Sequence, residues 1–433
     1  MPFEALQSMT PVGGDEKPSL SRSSSFKRKL SIPSVGYKRV LVLGSGSFGS
    51  CLADHLADIG HQTRIWARNK DVVDSFNNNH KNPKYLTDHT FSKNLKAVGP
   101  EFPSFEDLLL YNVIVMAIPS QSMSSVLKNL VPLFEAKKDK APLLVFANKG
   151  IESGSCFLPI EIIERECGKE IARVSTFLSG PSFAKEIVQR MPTQVTIASF
   201  SSQHAEQACE VFHQGHFLTF SSTDPVGVEL AGALKNVYAI ASGVASGLGF
   251  QQNTRAGLVT RASAEMQKIG AAFNADPLTF LSLAGVGDLF LTCSSENSRN
   301  FTVGKRLGEG EKLQHILDTL GSTAEGVFTA EAVHELLKRL EMSAPIAEAV
   351  YDLLYQGASA ADMADRLMGL PSMPELARPM VRRSSHSERF MQAVGVLSPA
   401  QSPSITPSVT PGGSPPHSPK PQNTGINALP EDK

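Results

Sequence analysis

The chain is predicted to fold as an α/β domain followed by an all-α domain, with a disordered tail at each end. Three observations carry the prediction. Near the start of the apolar sequence, Arg39-Val40-Leu41-Val42-Leu43 enters a glycine-rich turn and then a helical pattern. Apolar runs then alternate with amphipathic stretches as far as Ala198, as parallel βαβ units require. Beyond Asp224 the apolar residues recur only at helical spacing. The expected boundaries are 1–36 for a basic Ser-rich tail, 37–223 for the α/β domain, 224–370 for the helical domain and 371–433 for the second tail.

Composition bounds the function classes. The 433 residues are 41% hydrophobic and 19% charged, with a formal net charge of −1. That describes an ordinary soluble protein with no global attraction to nucleic acid. The cysteines (Cys51, Cys156, Cys167, Cys209, Cys293) are odd in number and never in Cys-x-x-Cys spacing. Neither a disulfide framework nor a metal site is expected, and a reducing, cytoplasmic compartment is favoured. No stretch resembles a signal-peptide core.

From Lys17 to Arg39, a stretch that runs from the first tail into the α/β domain, there are seven Lys or Arg and no acid, interleaved with serines. Such a segment reads as a disordered, phosphorylatable arm. An organelle transit peptide is the alternative, opposed by Glu4, Asp15 and Glu16.

Order begins at Lys38. The run 39–43 suits a buried parallel strand. It leads into Gly44-Ser45-Gly46-Ser47-Phe48-Gly49 and the helical pattern Ser50–Ala57. Strand, glycine turn and helix are the context that a dinucleotide fingerprint needs. Gly44 permits the tight turn, Gly46 lets backbone approach a pyrophosphate, and Gly49 lets helix pack on strand. The helix N-terminus then offers free N–H groups to phosphates.

The second strand is Gln62–Trp66. A dinucleotide site selective for NAD carries an acid at this strand's end, but the chain reads Ala67-Arg68-Asn69. Arg68 suits the 2′-phosphate of NADP, or simply faces solvent. Further strands are expected at 112–119 and Pro142–Ala147, with a helix near Gln121–Phe134 between them. Pro119 and Lys149 therefore lie beyond the carboxyl ends of strands, where ligands bind in open α/β sheets. Thr176–Glu186 reads as a turn opening a helix, and Gln194–Ala198 as a strand.

Asp224 and Pro225 form a helix start, and the Ala-, Gly-, Val- and Leu-rich run to Gly249 looks buried on nearly every side. Glu229 and Lys235 are its only charges. Burial disfavours a charged amine and moves it toward use as a general base. A transmembrane helix, a snorkelling lysine and a core ion pair are the competing readings; Glu229, Lys235, Asn236 and five glycines argue against the first. Helices are also expected at Arg255–Ile269, Glu325–Leu340, Pro345–Tyr355 and Ala360–Leu367. In the last tail Ser398, Ser402, Thr406, Thr410, Ser414 and Ser418 each precede a proline at four-residue intervals. This low-complexity pattern suits proline-directed phosphorylation and phospho-dependent partners.

Taken together, the glycine turn, Asn148-Lys149-Gly150, Ser179-Gly180-Pro181-Ser182-Phe183-Ala184-Lys185-Glu186, Val228–Asn236, Gly287-Asp288-Leu289 and Ser298-Arg299-Asn300 resemble the NAD(P)-dependent sn-glycerol-3-phosphate dehydrogenases, the soluble, flavin-free family. The resemblance covers about Tyr37 to Leu370. It implies a Rossmann-like domain followed by a helical one, a cleft between them, and commonly a homodimer. It implies interconversion of sn-glycerol 3-phosphate and dihydroxyacetone phosphate, with NAD or NADP as cofactor and no metal. By the same resemblance Lys235 is the general acid/base and Asp288 its partner. Lys149, Gly180, Ser182, Asn236, Ser298, Arg299 and Asn300 contact substrate, with Arg299 on its phosphate. Gly44, Gly46, Ser47, Phe48, Gly49, Arg68, Lys149, Ala184, Arg299 and Glu325 contact cofactor. Two rival readings are a related dehydrogenase acting on a hydroxyacid or sugar acid, and a non-catalytic nucleotide sensor.

Overall fold

The computed structural model describes residues 36–136, 141–321, 323–372, 391–392 and 394–395. The serine-rich first tail and the six Ser/Thr-Pro sites lie outside them.

Eight strands form one sheet: β1 (Arg39–Leu43), β2 (Gln62–Trp66), β3 (Lys96–Val98), β4 (Val113–Met116), β5 (Leu143–Phe146), β6 (Thr176–Ser179), β7 (Thr193–Ala198) and β8 (Phe217–Ser222). Their order is β3-β2-β1-β4-β5-β6-β7-β8, and every neighbouring pair is parallel except β6 with β7. Val40 to Leu43 and Val113 to Met116 are covered on both faces, which is why these strands read as continuous apolar runs rather than alternations. The strand order reverses between β1 and β4, so a crevice opens beyond their carboxyl ends.

The sequence pattern indicates five of these strands. β3 is only three residues long, and β8 at the opposite edge is half exposed, so neither carries a strong pattern. Thr176–Ser179, expected as part of a turn, is instead a fully buried strand. Thr176 hides its polarity by donating its hydroxyl to the carbonyl of Leu144 at 2.7 Å.

The helix Pro225–Gly247 follows β8 directly. Asp224 caps it, accepting from the Gly227 amide at 2.9 Å, and Pro225 takes its first turn. Other helices surround it, and buried residues run from Pro225 to Val244 without interruption. Among the described residues no helix is long and apolar enough to cross a membrane.

Its glycines explain how tightly it is surrounded. A Cβ on Gly243 would lie 2.1 Å from the Phe301 carbonyl oxygen, and one on Gly247 would lie 2.2 Å from that of Lys305. Reciprocally, a Cβ on Gly304 would lie 1.9 Å from the Ile240 oxygen, and one on Gly308 2.5 Å from that of Val244. Two glycines four residues apart on each helix thus put backbone against backbone, bringing the helix Arg299–Gly308 against the helix of Lys235.

Within the stretch expected as the second tail, Met391 and Val394 are 4% and 2% exposed and pack into the larger hydrophobic core. Residue 370 therefore does not mark the last contact with the folded body.

Candidate active site

A cleft of about 1170 Å³ lies over the carboxyl ends of β1 and β4, walled on its far side by the Lys235 helix and by Asn297–Asn300. At its floor the glycine turn behaves as its composition requires. Gly44 has φ +115° and leaves no room for a side chain, since a Cβ would meet the Ala117 oxygen at 2.4 Å. Gly46 faces open space, and Gly49 presses on the Gly44 carbonyl. The helix Ser47–Asp58 that follows has no side-chain cap, so its first N–H groups stay available for an anion.

Asn82 holds a second loop against this turn. Its amide donates to the Ser45 carbonyl at 2.9 Å, while its carbonyl accepts from the amides of Lys84 and Tyr85 at 3.0 and 3.1 Å. Lys84 and Tyr85 thereby line the cleft beside Arg68, which is exposed just beyond β2. Farther in, the Ser120 hydroxyl and the Asn148 side-chain oxygen are buried with no protein partner. Orphaned polar atoms next to an uncapped helix and a glycine cradle fit a dinucleotide.

Lys235 reaches the cleft from the opposite wall. Its Nζ donates to Asp288 Oδ1 at 2.5 Å and to Thr292 Oγ1 at 3.0 Å. The other carboxylate oxygen of Asp288 accepts from Lys149 Nζ at 2.9 Å. Asp288 itself is 1% exposed and lies behind the lysines rather than in the cleft. Burial alone would raise its pKa, but the ammonium groups of Lys149 and Lys235 outweigh burial and hold it low. For Lys235 the balance is reversed. Burial lowers it to about 8 with help from Lys149, against the pull of Asp288.

Asp288 owes its position to an irregular turn. Leu283–Gly287 is a π-helical segment with Gly285 outside helical geometry. A Cβ on Gly285 would fall 2.3 Å from the Phe280 oxygen. The bulge lets the chain enter the helix Asp288–Cys293 with Asp288 and, one turn later, Thr292 both facing Lys235.

Lys149 sits between the two walls. Besides Asp288 it donates to the Gly180 carbonyl at 3.2 Å, and its Nζ lies 5.4 Å from the centre of the Phe48 ring. Gly180 has φ +142° with Val195 Cα 2.9 Å from its would-be Cβ, and it contributes only that carbonyl. Gly49, Gly180 and Asp288 do not line the cleft; the other residues expected to bind substrate or cofactor do.

Two of the asparagines hold one another. Asn236 donates to the Lys149 carbonyl at 2.9 Å and accepts from Asn300 Nδ2 at 2.9 Å, while Asn300 accepts from the Gly326 amide at 3.0 Å. Ser298 caps the helix that Arg299 opens, and Arg299 is exposed at its tip. Glu325, first residue of the helix Glu325–Leu340, brings its carboxylate to the same side of Gly150 as Ser120. Burial pushes its carboxyl up to about 7 against the opposing charge of Arg299.

Thr292, Asn82 and Ser120 enter the site without having been singled out by sequence, and Asn148 stands there only as part of Asn148-Lys149-Gly150, with no role of its own. Only Thr292 leaves a usable trace there, four residues after Asp288 on a helical pattern.

Comparison with known proteins agrees with this geometry. The model of the NAD-dependent glycerol-3-phosphate dehydrogenase N-terminus matches residues 39–205, and that of the C-terminus matches 224–365. The chain is 42% identical over 333 residues to the glycerol-3-phosphate dehydrogenase [NAD(P)+] of Leptospira biflexa, covering 76% of this chain and 97% of that one. It is 37% identical over 331 residues to the Limosilactobacillus reuteri enzyme of the same name, with the same coverage. The crystal structure of glycerol-3-phosphate dehydrogenase from Coxiella burnetii superposes with a TM-score of 0.71 at 31% identity, over 77% of this chain and 99% of that one. With both family models matched in order across the two walls of one cleft, the chain belongs to the NAD-dependent glycerol-3-phosphate dehydrogenase family.

Proposed function

We propose that this chain interconverts sn-glycerol 3-phosphate and dihydroxyacetone phosphate with NAD or NADP, using Lys235 as the general acid and base. The observation that carries the reading is a buried amine, held near 8 by burial, that opens onto the cleft and backs onto Asp288. When bound, the nicotinamide cofactor supplies or accepts the hydride.

In the oxidising direction, neutral Lys235 takes the proton of the substrate hydroxyl. In the reducing direction its ammonium donates to the ketone oxygen. A pKa near the operating pH allows both roles. Asp288 and Thr292 fix the Nζ so that one direction is left for substrate. Arg299, free at the end of its helix, is suited to the substrate phosphate through a charge-assisted fork. Ser298 retains its hydroxyl hydrogen and Asn300 one amide hydrogen for the same ligand. Lys149 adds a second cation beside the reacting oxygen.

Beside the end of β2 the cleft is lined by Arg68 and Lys84, and its one lining carboxylate, Glu325, faces Ser120 and Gly150 instead, which supports acceptance of NADP as well as NAD. The described cysteines are free thiols, in keeping with a reducing cytoplasm. Leu278, Leu281, Val286 and Phe290, exposed within one short segment, support self-association as a homodimer.

The test is Lys235→Met, which keeps the volume and removes the amine. Turnover of dihydroxyacetone phosphate should fall by at least about 10²-fold while NAD(P)H still binds, read by fluorescence titration. Near-normal turnover in this variant refutes the acid/base assignment.

A further inference from the structure

Glu229 is the second charge on the Lys235 helix, and nothing in the mechanism above uses it. It is 5% exposed, and its Oε1 accepts from the Ile160 amide at 3.0 Å. Ile160 belongs to the helix Pro159–Cys167 of the dinucleotide-binding domain, so this bond joins the two domains.

The contact fills a gap that the receiving helix cannot fill itself. Its N-cap is Leu158, which has no side-chain acceptor, and Pro159 has no N–H. Glu161 turns back to accept from the Leu158 amide at 2.8 Å, and the amides of Glu161 and Ile162 bond to the Leu158 carbonyl. The Ile160 amide is capped from the other domain.

Glu229 Oε2 is buried with no partner. Burial, with Glu161 and Asp224 close by, holds the carboxyl well above its ordinary range. That shift favours the neutral acid, whose Oε1 still accepts from the Ile160 amide.

Six residues separate Glu229 from Lys235, about 9 Å along the axis and about 120° around it. The pin and the amine therefore project in different directions. Downstream of Glu229, Gly232 packs against the Ser179 hydroxyl of β6 and Asn236 donates to the Lys149 carbonyl. Upstream, the Asp224 carboxylate accepts from Gly227, Asp276 and Thr279, all within the helical domain.

We infer that Glu229 is a positioning residue whose cross-domain bond to Ile160 sets the rotation and axial register of Lys235 relative to the dinucleotide-binding domain. This rests on the reading of Lys235 as proton carrier. A displacement of about 1 Å at a reacting group can cost about 10²-fold in rate, which is the scale such a pin guards against.

The test compares Glu229→Gln, which keeps the acceptor, with Glu229→Met, which removes it. Glu229→Gln should retain kcat within about threefold, whereas Glu229→Met should lose about 10- to 10²-fold in kcat with the NADPH dissociation constant little changed. Both are assayed well below their unfolding temperatures. Amide exchange over residues 158–162, measured without substrate, should be slow in wild type and Glu229→Gln and fast in Glu229→Met. The inference is overturned if Glu229→Met keeps its kcat and loses only thermal stability, or if Glu229→Gln is equally damaged. It is also overturned if exchange at Ile160 does not respond. Because exchange is read without turnover, failure of the pin is distinguishable from failure of the proposed reaction.

Discussion

Asp288→Asn is the most searching perturbation of the site, because it removes one charge and leaves buried Lys235 and half-buried Lys149 without their shared counterion. The Asp288 carboxylate lies 2.5 Å from Lys235 Nζ and 2.9 Å from Lys149 Nζ. Two unit charges about 4 Å apart at an effective dielectric near 20 attract by about 4 kcal/mol, equivalent to about 3 pH units. Lys235, held to about 8 in the intact pair, should therefore fall to about 5 in the variant. At pH 7.5 the wild-type amine is about three-quarters protonated and the variant's about 1 part in 300. Reduction of dihydroxyacetone phosphate, which needs the ammonium, should then slow by about 200-fold from protonation alone. The assay is NADPH oxidation between pH 5 and 9, with the reverse reaction run in parallel. In the reducing direction the limb centred near 8 should move to about 5, and part of the lost rate should return in acid. If the inflection stays near 8 while the rate falls equally at every pH, Asp288 does not set the charge state of Lys235 and the argument fails.

Four further outcomes are expected. Arg299→Ala should raise the KM for dihydroxyacetone phosphate by about 10- to 10²-fold, the loss of charged hydrogen bonds of about 1.5–3 kcal/mol; a KM within twofold of wild type would remove Arg299 from the phosphate site. Gly304→Ala should destabilise by about 3 kcal/mol or more in thermal unfolding, since its methyl would meet the Ile240 carbonyl at 1.9 Å. Gly257→Ala, with nothing within 4 Å, should instead stabilise by up to about 1 kcal/mol. His55 is buried and held down to about 4, chiefly by burial. The unfolded chain takes up that proton at about 6.5, so stability is complete above pH 6.5 and should decline by about 3 kcal/mol as pH falls toward 4. In denaturant titrations His55→Gln should show a shallower decline over that window; an unchanged slope counts against His55 as its source.

The dinucleotide-binding half was largely legible because its signals are local. β1, β4 and β5 are apolar runs, β2 and β7 are short β-prone stretches beside them, and the glycine turn declares itself by spacing. The helices Glu325–Leu340 and Pro345–Tyr355 begin and end where the apolar period does. What sequence could not supply was decided by partners distant along the chain. β3 and β8 are strands because an existing sheet edge offers them hydrogen bonds, not because their residues insist on it. Thr292 and Asn82 matter through what they touch, and Lys149 meets Asp288 across 139 residues of chain. That last contact could not be derived from spacing at all.

The glycines of the Lys235 helix join these two levels. In the sequence they argue only against a membrane span. In the fold they determine how close the phosphate-binding candidate can come to the acid/base candidate. A helix pair with ordinary side chains keeps its axes about 8–10 Å apart; with glycine at 243, 247, 304 and 308 the backbones touch. Arg299 opens one of these helices and Lys235 sits midway along the other, so helix separation sets the distance between guanidinium and amine. Hydroxyl and phosphate in the proposed substrate are separated by only a few bonds, and a side chain at any of the four positions would widen the gap they must bridge. The two lysines and Asp288 can be tuned one residue at a time. The spacing between Arg299 and Lys235 is set by all four glycines together.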